Sequence, residues 1–332
     1  MRFGLLLPHF GENANGEKII AGSVRAEQLG FDSLWVRDHI VFEPHGEFET
    51  PDPAFLEAFA VLTAVGAVTK SVLLGTGALI PFRHPLHTAL VASSITHMVG
   101  DRLVLGIGSG NFDKEFAAVG LGGIDRLELV RANVAIWREL WAGGTVSRHD
   151  KVFEFSDVAL RPTPRGGGIP VWFCGNTPRS ARLAAEFCDG WLPGRISLGT
   201  LRARVATLDE AATAAGRRRP TVGAIPMAAV DTTRERALAR VNVPGLLAWA
   251  NNARFWATPP SGSFVHVSDL EGVLVYGTAD DVVEQCQRLE RAGLDHLVFD
   301  FRMSFDRWEE QMEILGAEVL PRLSLDSSKQ NK

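Results

Sequence analysis

The sequence predicts a single (β/α)8 TIM barrel with its active site at the carboxyl ends of the strands. Short apolar runs alternate with longer helical patterns over almost the whole chain of 332 residues. Repeated βα units of this kind indicate a parallel sheet, and eight of them favour a closed barrel over an open doubly wound sheet. The predicted strands lie at 2–7, 33–36, 72–76, 103–107, 169–173, 190–193, 221–230 and 295–300.

Each predicted strand is followed by at least one segment with a helical pattern. These segments lie near 18–29, 53–69, 86–98, 125–142, 178–187, 198–215, 233–241, 279–292 and 305–320. No internal repeat or linker divides the chain, so we expect one domain over 1–322. The polar residues 323–332 are expected to form a disordered tail.

Two segments interrupt this alternation and are expected to be insertions. The first, about 145–165, carries alternating apolar residues and two prolines, which is compatible with a small hairpin or arm. The second, about 242–275, is rich in aromatic and turn residues and includes Trp249 and Trp256. A long insertion of this kind is often a lid or a substrate-binding loop, and a packed surface excursion is the equally weighted alternative.

The composition argues against several classes of partner and location. A net charge of −5 gives no reason to expect nucleic acid or an anionic membrane as a partner. No window approaches the roughly 18 apolar residues of a membrane span. Cys174, Cys188 and Cys286 form no paired framework and suit a reducing cytoplasm. His84 and His87 lie one helical turn apart, but no further ligands complete a metal site, so no metal is expected.

The residues at the predicted strand exits are polar or small. Catalytic groups of βα-barrels lie at this face. The exits carry His9, Asp38 and His39, the small pair Gly77 and Ala78, then Ser109, Gly110 and Asn111, then Gly175, Asn176 and Thr177, and, after the sixth and last strands, Arg195 and Arg302.

Asp38 and His39 form the most informative pair among them. A histidine at a strand exit can take or deliver a proton near neutral pH, and an adjacent carboxylate can support that role. The alternative is structural: Asp38 caps the next segment and His39 only packs. The position at a strand exit favours the catalytic interpretation.

The glycine-rich run at the fourth strand exit does not match a dinucleotide loop. Gly106 and Gly108 would require a third glycine where Asn111 stands. Gly108 and Gly110 would require one where Asp113 stands. A dinucleotide-binding role for this loop is therefore not expected.

Gly175, Asn176 and Thr177 precede Pro178 at a predicted helix start. A plain N-cap explains this pattern. The free N–H groups at the same helix start could also bind a phosphate. The spacing alone does not decide between a plain N-cap and a phosphate site.

With these residues in place, the chain resembles the bacterial luciferase-like monooxygenase superfamily from residue 1 to about 320. Each motif is weak alone, and the ordered series is specific. The motifs are GFDSLWVRDH at 30–39, LGTG at 74–77, RHP at 83–85, RLVLGIGSG at 102–110, EF at 115–116, PVW at 170–172, GN at 175–176, DGW at 189–191 and YGT at 276–278.

The resemblance implies a barrel with a flavin-type cofactor in its mouth, coenzyme F420 by preference or FMN. Asp38 and His39 would lie beside the cofactor ring, with His39 as proton donor or transition-state stabiliser. Gly77 and Ala78 would form a strand bulge with a non-prolyl cis peptide behind the ring. The implied cofactor contacts are Asp38, Gly77, Ala78, Ser109 and Gly110 near the ring and ribityl chain, and Gly175, Asn176 and Thr177 at the phosphate.

The same comparison bears on the substrate. Asn111 stands where some sugar-phosphate dehydrogenases of the family carry a catalytic Glu, and no lysine lies between Lys151 and Lys329. A sugar phosphate is therefore disfavoured, and the aromatic insertion favours a small, largely apolar or aromatic organic substrate. The candidate substrate contacts are His9, Asn111, Trp249 and Trp256.

Three functions follow from this resemblance. The first is hydride transfer to or from F420, with His39 moving the proton and Asp38 orienting it. The second is an FMN monooxygenase that uses O2 and reduced flavin from a partner reductase. The third is a non-catalytic flavin-binding protein. The resemblance also implies a homodimer or higher oligomer.

Overall fold

A computed structural model describes residues 1–49, 51 and 54–324, and within them the chain forms twelve strands. Eight of these strands close into a parallel barrel, while the other four form two small sheets. In chain order they are β1 (Arg2–Leu6), β2 (Ser33–Val36), β3 (Leu73–Leu79), β4 (Leu103–Gly108), β5 (Val146–His149), β6 (Glu154–Val158), β7 (Val171–Cys174), β8 (Gly190–Leu192), β9 (Thr221–Ala224), β10 (Met227–Val230), β11 (Leu274–Gly277) and β12 (His296–Phe299).

Helices surround the barrel and connect its strands. They are α1 (Gly16–Gln28), α2 (Ala58–Val68), α3 (Pro85–Val99), α4 (Asp113–Ala118), α5 (Arg126–Trp141), α6 (Pro178–Phe187), α7 (Leu198–Ala214), α8 (Arg234–Leu238), α9 (Val243–Asn251), α10 (Ala279–Arg291) and α11 (Trp308–Ile314). The predicted start of the second helix, at residue 53, lies outside the described residues.

The strand order around the barrel is β1-β12-β9-β8-β7-β4-β3-β2. The barrel closes where Arg2 of β1 pairs in parallel register with His296 of β12. This topology confirms the predicted (β/α)8 fold. It also brings the carboxyl ends of all eight strands to one face.

The apolar run at 221–230 is two strands, so its prediction as one strand was wrong. β9 stays in the barrel between β8 and β12, whereas β10 pairs with β11 in a separate parallel sheet. Pro226 stands between β9 and β10 and has no N–H to continue a ladder. β11 begins within the segment expected to be the second insertion, which also contains α9.

The two insertions take different forms. β5 and β6 pair in antiparallel register, which confirms the hairpin expected within 145–165. The second insertion packs with the loop after β2 in a small apolar cluster above the barrel, which we call the cap cluster. It consists of Phe48, Met227, Leu246, Ala250, Phe264, Leu270, Val273 and Leu274.

The chain continues as helix beyond α11. A π-helical turn at Leu315–Val319 follows α11, and residues 321–324 are helical. The first two residues of the tail expected at 323–332 therefore belong to this helix. The rest of that tail, 325–332, lies outside the described residues.

Aromatic rings from non-adjacent strands fill the barrel interior. Trp35 of β2 and Trp172 of β7 lie 5.4 Å apart, and each ring lies 5.6 Å from that of His296 on β12. A Cβ at Gly75 or Gly190 would come within 2.4 Å of one of these tryptophans, so glycine provides the room for the rings. This packing fills the interior, and the open space lies at the carboxyl ends of the strands.

Arg102 binds the ends of two helices at the start of β4. Its guanidinium donates to the carbonyls of Gly66, Thr69, Val72 and Val99 at 2.9–3.0 Å. The last carbonyls of a helix have no partner within the helix. Arg102 therefore joins the carboxyl ends of α2 and α3 to the barrel.

We expect Arg102→Ala to lower the free energy of unfolding by about 2–3 kcal/mol, because several carbonyls lose a charged donor. Urea denaturation followed by circular dichroism measures the loss. Arg25→Ala is the matched control, since it removes an exposed arginine paired with Glu313. Equal effects of the two substitutions would contradict the role of Arg102.

Candidate active site

An open cavity of about 760 Å3 lies at the carboxyl ends of the barrel strands. It is the size of a site for a large organic ligand. Most residues predicted from the sequence line it together, namely Asp38, His39, Gly77, Ala78, Ser109, Gly110, Asn111, Gly175, Asn176, Thr177 and Trp249.

One wall of the cavity is almost bare backbone. The peptide bond between Gly77 and Ala78 is cis, and the pairing of β3 with β4 shifts register there. A Cβ at Gly108 would come within 3.2 Å of the Cβ of Ala78. Gly110 has φ +71°, a conformation that favours glycine. These residues form a wall against which a flat group can lie.

His39 is oriented by a buried carboxylate from another element. Its Nδ1 lies 3.1 Å from Oε1 of Glu115 on α4, and the Glu115 side chain is 0% exposed. Glu115 also accepts the backbone N–H of Ile40 at 2.9 Å and that of Val41 at 3.3 Å. Burial alone would raise the pKa of Glu115, but the hydrogen bonds from His39 and the backbone lower it below its usual range.

The partners of His39 assign its tautomer. A carboxylate accepts, so Nδ1 donates its hydrogen to Glu115. Nε2 lies 3.4 Å from Nη2 of Arg37, which can only donate. The neutral ring therefore carries its hydrogen on Nδ1 and presents the lone pair of Nε2.

Asp38 does not orient His39, contrary to the expectation from the sequence. Its carboxylate accepts from both terminal nitrogens of Arg83, at 2.6 and 2.9 Å, and from the backbone N–H of Ile80 at 3.0 Å. Burial would lower the pKa of Arg83, but its pairing with Asp38 raises it. Asp38 therefore fixes β2 against the bulge of β3, and Glu115 is the residue that orients His39.

A buried ionic network lies next to His39. Glu49 contacts Arg37, with 3.4 Å between Oε1 and Nη1, and it also contacts Arg302. Arg302 pairs in addition with Asp300, and His45 Nδ1 lies 2.9 Å from Glu49. Burial and nearby cations lower the pKa of Arg37 to about 9 and that of His45 to about 4.

Arg195, at the exit of β8, lies between the barrel and the cap cluster. Its guanidinium carbon is 5.1 Å from the ring centre of Phe48 and 4.9 Å from that of Trp249. Its Nε is buried without a hydrogen-bond acceptor. Burial and the charge of Arg302 lower the pKa of Arg195 to about 10.

The amino end of α6 opens on another wall of the cavity. Thr177 caps the helix by accepting the N–H of Ser180 at 3.1 Å. Gly175 and Asn176 precede the cap, and the exposed Arg179 in the first turn also lines the cavity. Free N–H groups and a nearby cation are the groups that bind a phosphate.

Two predicted substrate contacts do not line the cavity. His9 is fully buried, with Nδ1 2.9 Å from the carbonyl oxygen of Leu7 and Nε2 accepting the N–H of Arg37 at 3.0 Å. Burial lowers its pKa to about 4. Trp256 packs edge-on against Trp249, 5.1 Å between ring centres, and lies behind it.

Sequence reasoning assigned no role to five charged residues of this site: Arg37, Glu49, Glu115, Arg195 and Arg302. Two of them stand in the motifs quoted for the family resemblance, Arg37 directly before Asp38 and Glu115 before Phe116. Their position next to other motif residues was the available signal. For Arg195 and Arg302 the signal was their position at the exits of the sixth and last predicted strands. Glu49 had neither signal, because it lies in no quoted motif and at no predicted strand exit.

No cluster of three or more His, Cys, Asp or Glu able to hold a metal ion occurs within residues 1–49, 51 and 54–324. Within the same residues, every helix is too short or too polar to cross a membrane.

The sequence that forms this barrel matches a known family. A family model described as luciferase-like monooxygenase matches residues 1–296. The chain belongs to the luciferase-like monooxygenase family.

Two curated relatives cover nearly the whole of this luciferase-like chain. The 5,10-methylenetetrahydromethanopterin reductase of Archaeoglobus fulgidus is 27% identical over 90% of this chain and 93% of its own. The F420-dependent glucose-6-phosphate dehydrogenase of Microbacterium testaceum is 27% identical over 95% of this chain and 97% of its own.

Two solved structures share the luciferase-like barrel. The F420-dependent tetrahydromethanopterin reductase of Methanopyrus kandleri has a TM-score of 0.80 at 21% identity, over 97% of this chain and 99% of that one. The oxygenating constituent of 3,6-diketocamphane monooxygenase from Pseudomonas putida, in complex with FMN, has a TM-score of 0.78 at 19% identity. The match covers 97% of this chain and 99% of that one. At these identities the likeness shows the fold.

We expect Glu115→Gln to lower the free energy of unfolding of the luciferase-like barrel near neutral pH. We also expect this free energy to depend less on pH in acid than it does in the wild type. A carboxyl whose pKa is lowered by folding adds stability above its unfolded pKa of about 4.5, and that stability is lost as the pH falls through the folded value. Wild type and variant should therefore differ by about 1–2 kcal/mol at pH 7 and converge in acid.

Urea denaturation between pH 7 and pH 3 measures this difference. Glu43→Gln, which changes an exposed carboxylate on the loop after β2, is the control and should follow the wild type. A constant gap between Glu115→Gln and the wild type at every pH would refute the electrostatic explanation.

Proposed function

We propose that this protein is an F420-dependent oxidoreductase that moves a hydride to or from a small organic substrate. One observation carries the proposal: the bare wall of β3 and β4 and His39, whose ring is held by the buried Glu115, line the same cavity. A flat redox ring and a proton-transfer group can therefore meet one substrate. Both curated relatives described above and the M. kandleri structure support the choice of chemistry.

The cavity offers a surface for each part of such a cofactor. F420 and FMN share a flat tricyclic ring, a ribityl chain and a phosphate. The wall formed by Ala78, Gly108 and Gly110 suits the ring, since a Cβ at Gly108 would intrude on that surface. The amino end of α6 with Arg179 suits the phosphate. The residues present therefore fit the group.

His39 would move the proton of the reaction. When bound, the deazaflavin ring supplies a site that accepts or donates a hydride. For an alcohol substrate, Nε2 of His39 takes the hydroxyl proton as the carbinol hydride leaves. For a carbonyl substrate, the proton returns from Nε2 to the oxygen. Glu115 holds the ring of His39 in the tautomer that this step requires.

The FMN-dependent monooxygenase is the second candidate function. The FMN complex among the structural neighbours favours it, and the same bare wall would accept a flavin ring. That reaction would consume O2 and reduced flavin from a partner reductase. Comparing the affinity for F420 with that for FMN separates the two candidates.

We also propose that the protein is a cytoplasmic homodimer. The cysteine content supports the location, because Cys174, Cys188 and Cys286 are all free. The family resemblance supports the oligomer.

We expect F420 to bind with a micromolar or lower Kd and Gly108→Val to weaken it at least about tenfold, because the side chain would occupy the ring surface. Fluorescence titration of the coenzyme measures the Kd. Gly168→Val is the control, since a Cβ there meets nothing within 4 Å. Tighter binding of FMN than of F420 would favour the second function, and binding of neither would contradict both.

We expect His39→Gln to lower kcat at least about 100-fold, which is the usual contribution of a general acid or base. The Kd for F420 should stay within about twofold, because Gln keeps most of the volume. Oxidation of a panel of secondary alcohols is followed by the change in absorbance of F420. The reverse reaction is followed in the same way with the reduced coenzyme and a panel of ketones. His149→Gln, on the exposed hairpin, is the control. Unchanged turnover in His39→Gln would exclude the proton-transfer role.

A further inference from the structure

We propose that Arg195 is the recognition residue for a carboxylate on the substrate, so that the substrate is an organic monocarboxylate with an apolar or aromatic body. The proposal rests on the proposed oxidoreductase function and names the substrate class of that site. The sequence predicts a largely apolar substrate, and the proposal adds one negatively charged group to it.

The guanidinium of Arg195 carries a charge that the described residues leave unpaired. Nε of Arg195 is buried and has no acceptor, and among the described residues Arg195 makes no ion pair. The rest of the side chain is partly exposed to the cavity that it lines. A buried charge without a partner is costly, so a ligand anion is the natural partner for it.

The charges near Arg195 do not cancel. The ionic network beside it holds the guanidiniums of Arg37 and Arg302 and the carboxylates of Glu49 and Asp300, and Arg195 adds a third guanidinium. Both carboxylates are already paired with Arg302. One positive charge is left over, which matches a monoanion better than a phosphate dianion.

Aromatic rings surround the guanidinium of Arg195. Rings of Phe48 and Trp249 lie 5.1 and 4.9 Å from its central carbon. Aromatic faces hold a guanidinium plane in place and leave its edge free for a bidentate contact with a carboxylate. The same rings offer apolar surface to the body of the substrate.

Arg195 contacts other elements than those of the proposed phosphate site. That site consists of the amino end of α6 and Arg179. Arg195 instead packs against the loop after β2 and against α9, through Phe48 and Trp249. It therefore serves the part of the cavity that the cap cluster covers.

The experiment compares phenylacetate with phenylacetamide, which have nearly the same shape but differ in charge. Isothermal titration calorimetry gives both Kd values, with the F420 complex and with the coenzyme-free protein. We expect phenylacetate to bind at least about tenfold more tightly, as charge-assisted hydrogen bonds imply. Phenyl phosphate at pH 8 should bind more weakly than phenylacetate.

Three variants test the residue. Arg195→Gln should bring phenylacetate and phenylacetamide within about twofold of each other, because the charge is lost. Arg195→Lys should keep part of the preference, because the charge remains but the fork geometry is lost. Arg254→Gln, at an exposed arginine of the second insertion, should keep the full preference. Urea denaturation of each variant verifies that it is folded.

Each further outcome decides the proposal. Equal affinities in the wild type, a preference that survives Arg195→Gln, or tighter binding of phenyl phosphate would overturn it. A loss of F420 affinity in Arg195→Gln without a change in the carboxylate preference would assign Arg195 to the coenzyme and overturn it as well. If F420 fails to bind but the carboxylate preference and its loss in Arg195→Gln persist, the proposed function fails while the anion site stands.

Discussion

The buried carboxylate of Glu49 holds the active-site loop on the barrel. Its side chain is 3% exposed and meets Arg37 directly after β2, Arg302 after β12 and His45 from its own loop. Burial alone would raise the pKa of Glu49, but the two guanidiniums hold it far below its usual range. A buried charge is tolerated when it is fully paired. Because Glu49 is paired in this way, the loop after β2 is fixed and Phe48 reaches the cap cluster.

The cavity separates three tasks by the chemistry of its walls. The exits of β3 and β4 provide bare backbone, where a flat ring can lie without meeting side chains. His39 presents an imidazole whose tautomer is set by the carboxylate of Glu115. Arg195, Trp249 and Phe48 provide a cationic and aromatic surface. Each wall comes from different strands, which is how a barrel combines groups that are distant in sequence.

Membership of the luciferase-like family constrains the chemistry less than the fold. Structural relatives at 15–21% identity include an F420-dependent reductase, an F420-dependent secondary alcohol dehydrogenase, a riboflavin lyase and three monooxygenases, one of them in complex with FMN, all on one barrel. One backbone therefore supports several reactions, and specificity depends on side chains at the strand exits. In this chain those side chains include Asn111 and Arg195.

The sequence by itself determined the barrel, its eight strand positions and most of the residues at the strand exits. Alternation of apolar runs with helical patterns is a local property, and a parallel barrel then places every strand exit on one face. The division of 221–230 at Pro226 was missed, because a continuous apolar run conceals a change of sheet. Only the tertiary structure decided which charges meet. Glu115 reaches His39 across 76 positions, and Arg302 reaches Glu49 across 253. Pairings at such distances leave no local pattern, because they depend on how the closed barrel brings separate loops together.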